Sequence, residues 1–176
     1  MDHKGQILLH VCCAPCSTAV VERLREQGYE VTLFFSNSNI HPEEEYRKRL
    51  VEARKLAAML GLELLEDVYD HDTWLTCIHG LEDEPERGRR CFKCFEYNLG
   101  KTCAMARQKG IPGFTTTLTV SRHKSSRDIF AAGGAFPGFL SMDFKKQDGY
   151  NKSIQLSAKL NLYRQGYCGC EFSRKK

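Results

Sequence analysis

The first 66 residues alternate strand and helix signals without a break, and this alternation admits few folds. QILLHVC is an apolar run with no turn residue, suited to a strand buried on both faces. Residues Ser17 to Gln27 follow with Val20, Val21 and Leu24 on one helical face, and Gly28 supplies the stop. YEVTLFF reads as a second strand, SNSNIHP as a polar loop, and Pro42 to Leu60 as the clearest helix in the chain. Along that helix Tyr46, Leu50, Ala53, Ala57 and Leu60 fall at helical spacing. Glu43, Glu44 and Glu45 sit at its positive N-terminus, and Gly61 closes it. Glu43–Arg47, Glu44–Lys48 and Glu45–Arg49 are i,i+4 pairs expected on the solvent side. LELLE supplies a third strand. Strand–helix–strand–helix–strand units cross over right-handed and build a parallel sheet flanked by helices, a Rossmann-like α/β fold.

Beyond this unit, GLEDEPERGRR (residues 80–90) is so charged, with Pro and Gly inside it, that a mobile surface loop is expected. A helix is expected from near Cys91 to about Lys109, a fourth strand over GFTTTLTV, and a last helix over YNKSIQLSAKLNLYRQ. No repeat or linker divides residues 1–176, and 41% hydrophobic content is enough for one core, so a single α/β domain is expected.

In open α/β sheets, ligands bind outside the carboxyl ends of the strands. LHVCCAPCS puts Cys12 and Cys13 at such an end and Cys16 at the start of the next helix. Positive potential there favours thiolate, the form that binds metal. Three thiols within five positions at a strand end are more than the burial of small hydrophobes accounts for. RRCFKCF adds Cys91 and Cys94, a C-x-x-C that turns both sulfurs to one side of a helical turn. That spacing alone serves zinc, iron–sulfur or dithiol chemistry. With Cys12 and Cys13 it makes four thiolates, and counting does not separate a tetrahedral zinc from a cubane cluster. In YCGCEFS, Cys168 and Cys170 flank Gly169. A disulfide over so short a span closes a strained, easily reduced ring, so a redox-active pair is one reading and two more metal ligands another. Cys77 and Cys103 stand alone and read as packing residues.

No stretch approaches the roughly 18 to 20 unbroken apolar residues of a membrane span. The start MDHKGQILLHVCC also lacks the pattern of a secretory signal. The expected compartment is the cytoplasm, where nine cysteines, an odd number, favour metal or redox chemistry over a disulfide framework. The net charge of +4 is unevenly spread: residues 1–100 carry 12 Lys/Arg against 18 Asp/Glu, residues 101–176 carry 14 against 4. A basic half of this kind suits a polyanionic partner or simply a solvated surface. Asn39 and His41 in the helix-entry loop are candidate substrate contacts. Arg122, His123 and Lys124 follow the hydroxyl-rich TTTLTV and are candidate phosphate contacts. Asp143 pairs a candidate acid with Lys145 and Lys146, and Tyr150, Tyr163, Arg164 and Tyr167 intersperse aromatics with positive charge. His10 reads as a strand-end support, not a ligand.

Taken together, HVCCAPC, SNSNIHPEEEYRKR, RCFKCFEYNL, TTTLTVSRHK, DFKKQDGYNKS and LYRQGYCGC closely resemble the QueH type of epoxyqueuosine reductase, in the family's order and from about His10 to Ser173. The resemblance implies a fold of the adenine-nucleotide α-hydrolase type. It implies reduction of the epoxide of epoxyqueuosine, at the wobble base of certain tRNAs, to the alkene of queuosine, the last step of queuosine formation. Carried over by position, Cys12, Cys13, Cys91 and Cys94 match the family's [4Fe-4S] ligands, and Cys168 and Cys170 its redox-active, disulfide-forming pair. Family members also hold a further iron beside the cluster, and Cys16, which stands where some relatives have an aspartate, is the candidate ligand for it. The implied partners are tRNA and an electron donor that the sequence does not name. Three rivals remain. An ATP-dependent tRNA thiolase or ligase would want a phosphate loop like SGGxDS, which is missing. A zinc-stabilised RNA-binding module would not need three cysteine clusters. A general thiol–disulfide oxidoreductase would want its C-x-x-C in a thioredoxin-like setting.

Overall fold

The computed structural model describes residues 3–174. Four strands, β1 (Gly5–His10), β2 (Tyr29–Phe35), β3 (Leu64–Glu66) and β4 (Gly113–Thr116), form one parallel sheet in the order β3-β2-β1-β4. β1 pairs with β2 from Gly5↔Tyr29 to His10↔Phe34 and with β4 from Ile7↔Gly113 to His10↔Thr116. The chain grows outward from β1 through β2 to β3, then returns to the far side of β1. The carboxyl ends of β1 and β4 therefore flank the point where the strand order reverses, which is where this architecture opens a crevice.

Helices α1 (Ala14–Glu26) and α2 (Glu43–Leu60) cover one face, where Ile7, Leu9 and Val11 pack with Val20, Val21, Leu24, Ala53 and Ala57. Helices α3 (His71–Cys77) and α4 (Arg89–Lys109) follow β3, and α5 (Ser126–Gly133) follows β4. On the second face Leu8 and Phe34 meet Phe95, Leu99, Cys103 and Ala106 of α4 and Ile129 and Ala132 of α5. Because β1 is apolar on both sides, the sheet takes a helical layer on each, and each fully buried Leu or Ile contributes about 2 kcal/mol. α6 (Gly149–Lys159) lies against α1.

Several expectations need correction. α1 begins at Ala14, not Ser17, because Cys13 caps it and Pro15 suits its first turn. The fourth strand stops at Thr116, whose hydroxyl accepts the Leu118 N–H and starts a 3₁₀ turn over Thr117–Val120. The last helix stops at Lys159, not Gln165, because the Tyr163 N–H is taken by Glu52 Oε2 and the chain turns toward α2. α3 and α5 were not expected; Asp70 and Ser125 cap them. Residues 80–88 are the surface loop expected, but the helix begins at Arg89 and tethers it. The Arg90 guanidinium, 3% exposed, donates to the carbonyls of Leu81, Glu82 and Glu84 and pins the segment to α4. Arg49, expected in solvent, is 2% exposed. Cys103 is buried as expected, whereas Cys77 is exposed.

Candidate functional site

The site grows from the end of β1. The His10 ring is buried between Thr116 Oγ1 at 2.9 Å and the Ser36 carbonyl at 3.0 Å, so it ties the ends of β4 and β2 to β1. Burial pushes its pKa down and keeps it neutral, which is the role of a support. Thr117 Oγ1 accepts the Cys12 N–H at 3.0 Å and donates to Cys12 Sγ at 3.1 Å, bridging the crevice. Cys13 Sγ caps α1 by accepting the Cys16 N–H at 3.4 Å. The Cys12, Cys13 and Cys16 sulfurs lie within 4.8 Å of one another. Donation from Cys12, then from Cys16 and Gln165, holds Cys13 well below the usual thiol range. The same bonds keep the proton on the donors: Cys12 is raised by its bond to Cys13, and Cys16 well raised by its bonds to Cys12 and Cys13.

The opposite wall comes from α4 and the C-terminal segment. Cys94 faces a pocket of about 210 Å³ that Cys12, Cys13, Cys16 and Cys168 also line. Cys91, one turn earlier, faces a smaller cavity that shares Phe95, His123 and Lys124 with that pocket. Burial, then the nearby Cys168 and Cys170 sulfurs, push Cys94 well up, and burial raises Cys91 despite the Arg87 N–H on its sulfur at 3.3 Å. Arg49 holds the Tyr167–Cys170 segment in place. Its guanidinium donates to the Cys168 carbonyl at 2.9 Å and the Tyr167 carbonyl at 3.3 Å, while its Nε donates to Glu45 at 2.7 Å. Gly169 is required there: its φ is +143°, and a Cβ would stand 3.0 Å from Ile40 and 3.3 Å from Arg49. Cys168 and Cys170 are both free thiols.

Lys124 sits between the two walls. Burial opposes its charge, but the surrounding sulfurs of Cys168, Cys12 and Cys16 favour the ammonium and hold it above the ordinary lysine value. Its loop is stapled by Lys145, whose Nζ donates to the Lys124 carbonyl at 2.7 Å and the Ser121 carbonyl at 3.3 Å.

Of the other residues singled out, Asn39 lines the pocket and accepts from Asn98 Nδ2 at 3.2 Å. His41 points elsewhere and stacks on His71. Arg122 donates to Asn151 and stacks on Tyr150, whose ring is at the pocket; Arg164, also at the pocket, approaches the same ring. Asp143 Oδ1 is occupied by the Lys145 N–H, away from the pocket. The hydroxyls of Thr115, Thr116, Thr117 and Thr119 are buried and spent on internal bonds, so they are not phosphate contacts. Sequence reading missed Thr117, Arg49, Asn98 and Gln165. Asn98 Nδ2 donates to Cys94 Sγ at 3.6 Å, and the Asn98 Oδ1 and Gln165 Oε1 atoms are buried without partners in the pocket wall. Only three-dimensional neighbours identify these four.

The donor set fits a soft metal centre. The donors are thiols alone, free and crowded, and most are kept protonated by burial and by one another. Several thiolates coexist in such a place only around a cation, whose binding releases the protons.

The family model of "Epoxyqueuosine reductase QueH" matches residues 7–176. The relative of that name from Streptococcus pyogenes is 39% identical over 98% of this chain and 71% of its own length. Those from Haemophilus influenzae and Thermotoga maritima are 36% and 33% identical, over 73% and 90% of their lengths. Among solved structures, a U34-tRNA thiolase, NcsA, from Methanococcus maripaludis with its [4Fe-4S] cluster superposes with a TM-score of 0.62 at 10% identity. The match covers 99% of this chain and 63% of that one. A predicted subunit of tRNA methyltransferase from Methanocaldococcus jannaschii gives 0.53 at 14% identity, over 86% of this chain and 74% of that one. At these identities the structural likeness speaks for the fold alone, a parallel α/β sheet flanked by helices. The sequence matches carry the family: this chain belongs to the epoxyqueuosine reductases of the QueH type.

Proposed function

We propose that this chain reduces the epoxide of epoxyqueuosine in tRNA to the alkene of queuosine, on a centre held by Cys12, Cys13, Cys91 and Cys94. The observation that carries the reading is the meeting of Cys12, Cys13, Cys16, Cys94 and Cys168 around one pocket that also holds Lys124. Removing an epoxide oxygen to leave an alkene and water takes two electrons and two protons. A [4Fe-4S] cluster on those four thiolates would supply single electrons when bound, and Cys16, whose sulfur is within 4.8 Å of those of Cys12 and Cys13, is the candidate ligand for a further adjacent iron.

The chain's own groups do the rest. Lys124 keeps a positive charge and a proton at Nζ inside the pocket, where they stabilise negative charge developing on the departing oxygen. Lys145 positions Lys124 through its backbone carbonyl. Cys168 and Cys170 store an electron pair as dithiol and disulfide, with Arg49 fixing the backbone between them, and an external donor restores the dithiol. Asn39, Asn98 and Gln165 present amide groups to the modified base. Arg122 and Arg164, stacked at Tyr150 on the rim, grip the flanking phosphates while the base is splayed into the pocket.

The test is anaerobic assay of the reconstituted enzyme on epoxyqueuosine-containing tRNA, read by mass spectrometry of the nucleosides. Loss of one oxygen atom is expected, with Cys168→Ser keeping the cluster but failing to turn over repeatedly. Unaltered nucleoside with an intact cluster refutes the reading.

A further inference from the structure

A second cluster of metal-type donors lies outside the pocket, on the groove bounded by residues 82–84 and the C-terminal turn. His41, His71 and Glu171 each bring one ligand atom within 4.8 Å of the other two. His71 Nδ1 is 2.8 Å from the Ser38 carbonyl. A carbonyl only accepts, so Nδ1 carries a proton and Nε2 is the ring nitrogen left to face outward. Nε2 faces Glu171 Oε1 at 3.1 Å. Glu171 Oε2 is buried with no partner. A proton or a metal ion between Nε2 and Oε1 satisfies that contact, and the orphaned Oε2 with the His41 ring beside it favours the ion.

The surroundings are built for one. The His41 ring stacks on His71 with centroids 4.8 Å apart, and its backbone is fixed on both sides, N–H to the Gly169 carbonyl and carbonyl to the Tyr167 hydroxyl. The Ser38 carbonyl on Nδ1 is the outer-shell partner that metal-binding histidines use to set tautomer and ring direction. Glu82, Asp83 and Glu84 line the mouth against Arg90 and Arg174, leaving the groove net acidic once Glu171 is included. An imidazolium–carboxylate pair satisfies one contact only and leaves His41 and Glu171 Oε2 idle. Bonds of about 2.1 Å to one ion place two donors up to about 4.2 Å apart, a small closing of the observed cluster.

We propose that His41, His71 and Glu171 form a binding site for a divalent first-row transition ion of the zinc class, with remaining coordination positions open to the groove. Two imidazoles and a carboxylate suit zinc, and the site is separate from the thiol centre in both place and ligand type. Because Glu171 follows Cys170 directly, a bound ion would staple the C-terminal turn to α3 and to the loop after β2.

The test is anaerobic equilibration of the iron-loaded protein with Zn²⁺, followed by metal counting and zinc-edge X-ray absorption. Wild type should retain one more zinc per chain than His71→Gln or Glu171→Gln, with at least tenfold tighter binding and the same iron. The absorption spectrum should show nitrogen and oxygen ligands with imidazole scattering. Equal zinc in wild type and both variants, or a shell of sulfur ligands near 2.3 Å, overturns the proposal. The spectrum is taken on wild type, so the answer does not depend on either variant folding.

Discussion

Single side chains set the geometry here by bridging the ends of neighbouring strands. His10 is the clearest case, a neutral ring spanning three strands inside the sheet edge. Replacing it by Phe keeps the volume but leaves the Ser36 carbonyl and the Thr116 hydroxyl short of a partner. A loss of about 2 kcal/mol in urea unfolding is expected, the cost of stranding buried polar groups. A loss below about 0.5 kcal/mol would mean that the ring is only filler. Thr117 does for Cys12 what His10 does for the strands: it holds both the backbone and the sulfur.

Among the elements, α2 carries the most consequential departure from its sequence pattern. The Glu45–Arg49 pair has the spacing of a surface bridge, worth about 0.5 kcal/mol at most. Its burial, with three of the guanidinium bonds spent on Glu45 and on the carbonyls of Tyr167 and Cys168, makes it part of the wall that carries Cys168. Arg49→Gln should therefore cost about 3 kcal/mol of unfolding free energy, because Glu45 would stay behind without its cation. A cost near that of an exposed pair would contradict this. The difference explains what the sequence could and could not convey. Periodicity within one segment located β1, β2, α2 and α4 to within a few residues, and the thiol spacings located the cysteine groups, because both signals are local. Arg49, Thr117, Asn98 and Gln165 act through partners 59 to 119 positions away or through the pocket itself, as in Arg49–Cys168 and Asn98–Asn39. α3 and α5 were missed because they are short helices, seven and eight residues, set by their caps more than by an apolar stripe. The hydroxyl-rich TTTLTV, next to Arg122, His123 and Lys124, read as a candidate phosphate contact, and only its burial shows that those hydroxyls are already paired.

For the molecule as a whole, the topology gathers distant segments at one sheet edge: the loops after β1, β2 and β4, the start of α4, and the C-terminal turn. The rim cations Arg122 and Arg164 belong to the half of the chain with 14 Lys/Arg against 4 Asp/Glu. Two phosphate contacts from that rim would make tRNA affinity fall about 10-fold between 50 and 200 mM salt, measured by filter binding, and a flat salt response would mean a merely solvated surface. The central claim is that cysteines from two separated segments enclose one inorganic centre beside this pocket. Diffraction at the iron absorption edge from crystals grown without oxygen measures it directly. Anomalous density touching the sulfurs of Cys12, Cys13, Cys91 and Cys94 is the predicted result; those sulfurs lying apart, with no iron signal between them, would contradict it.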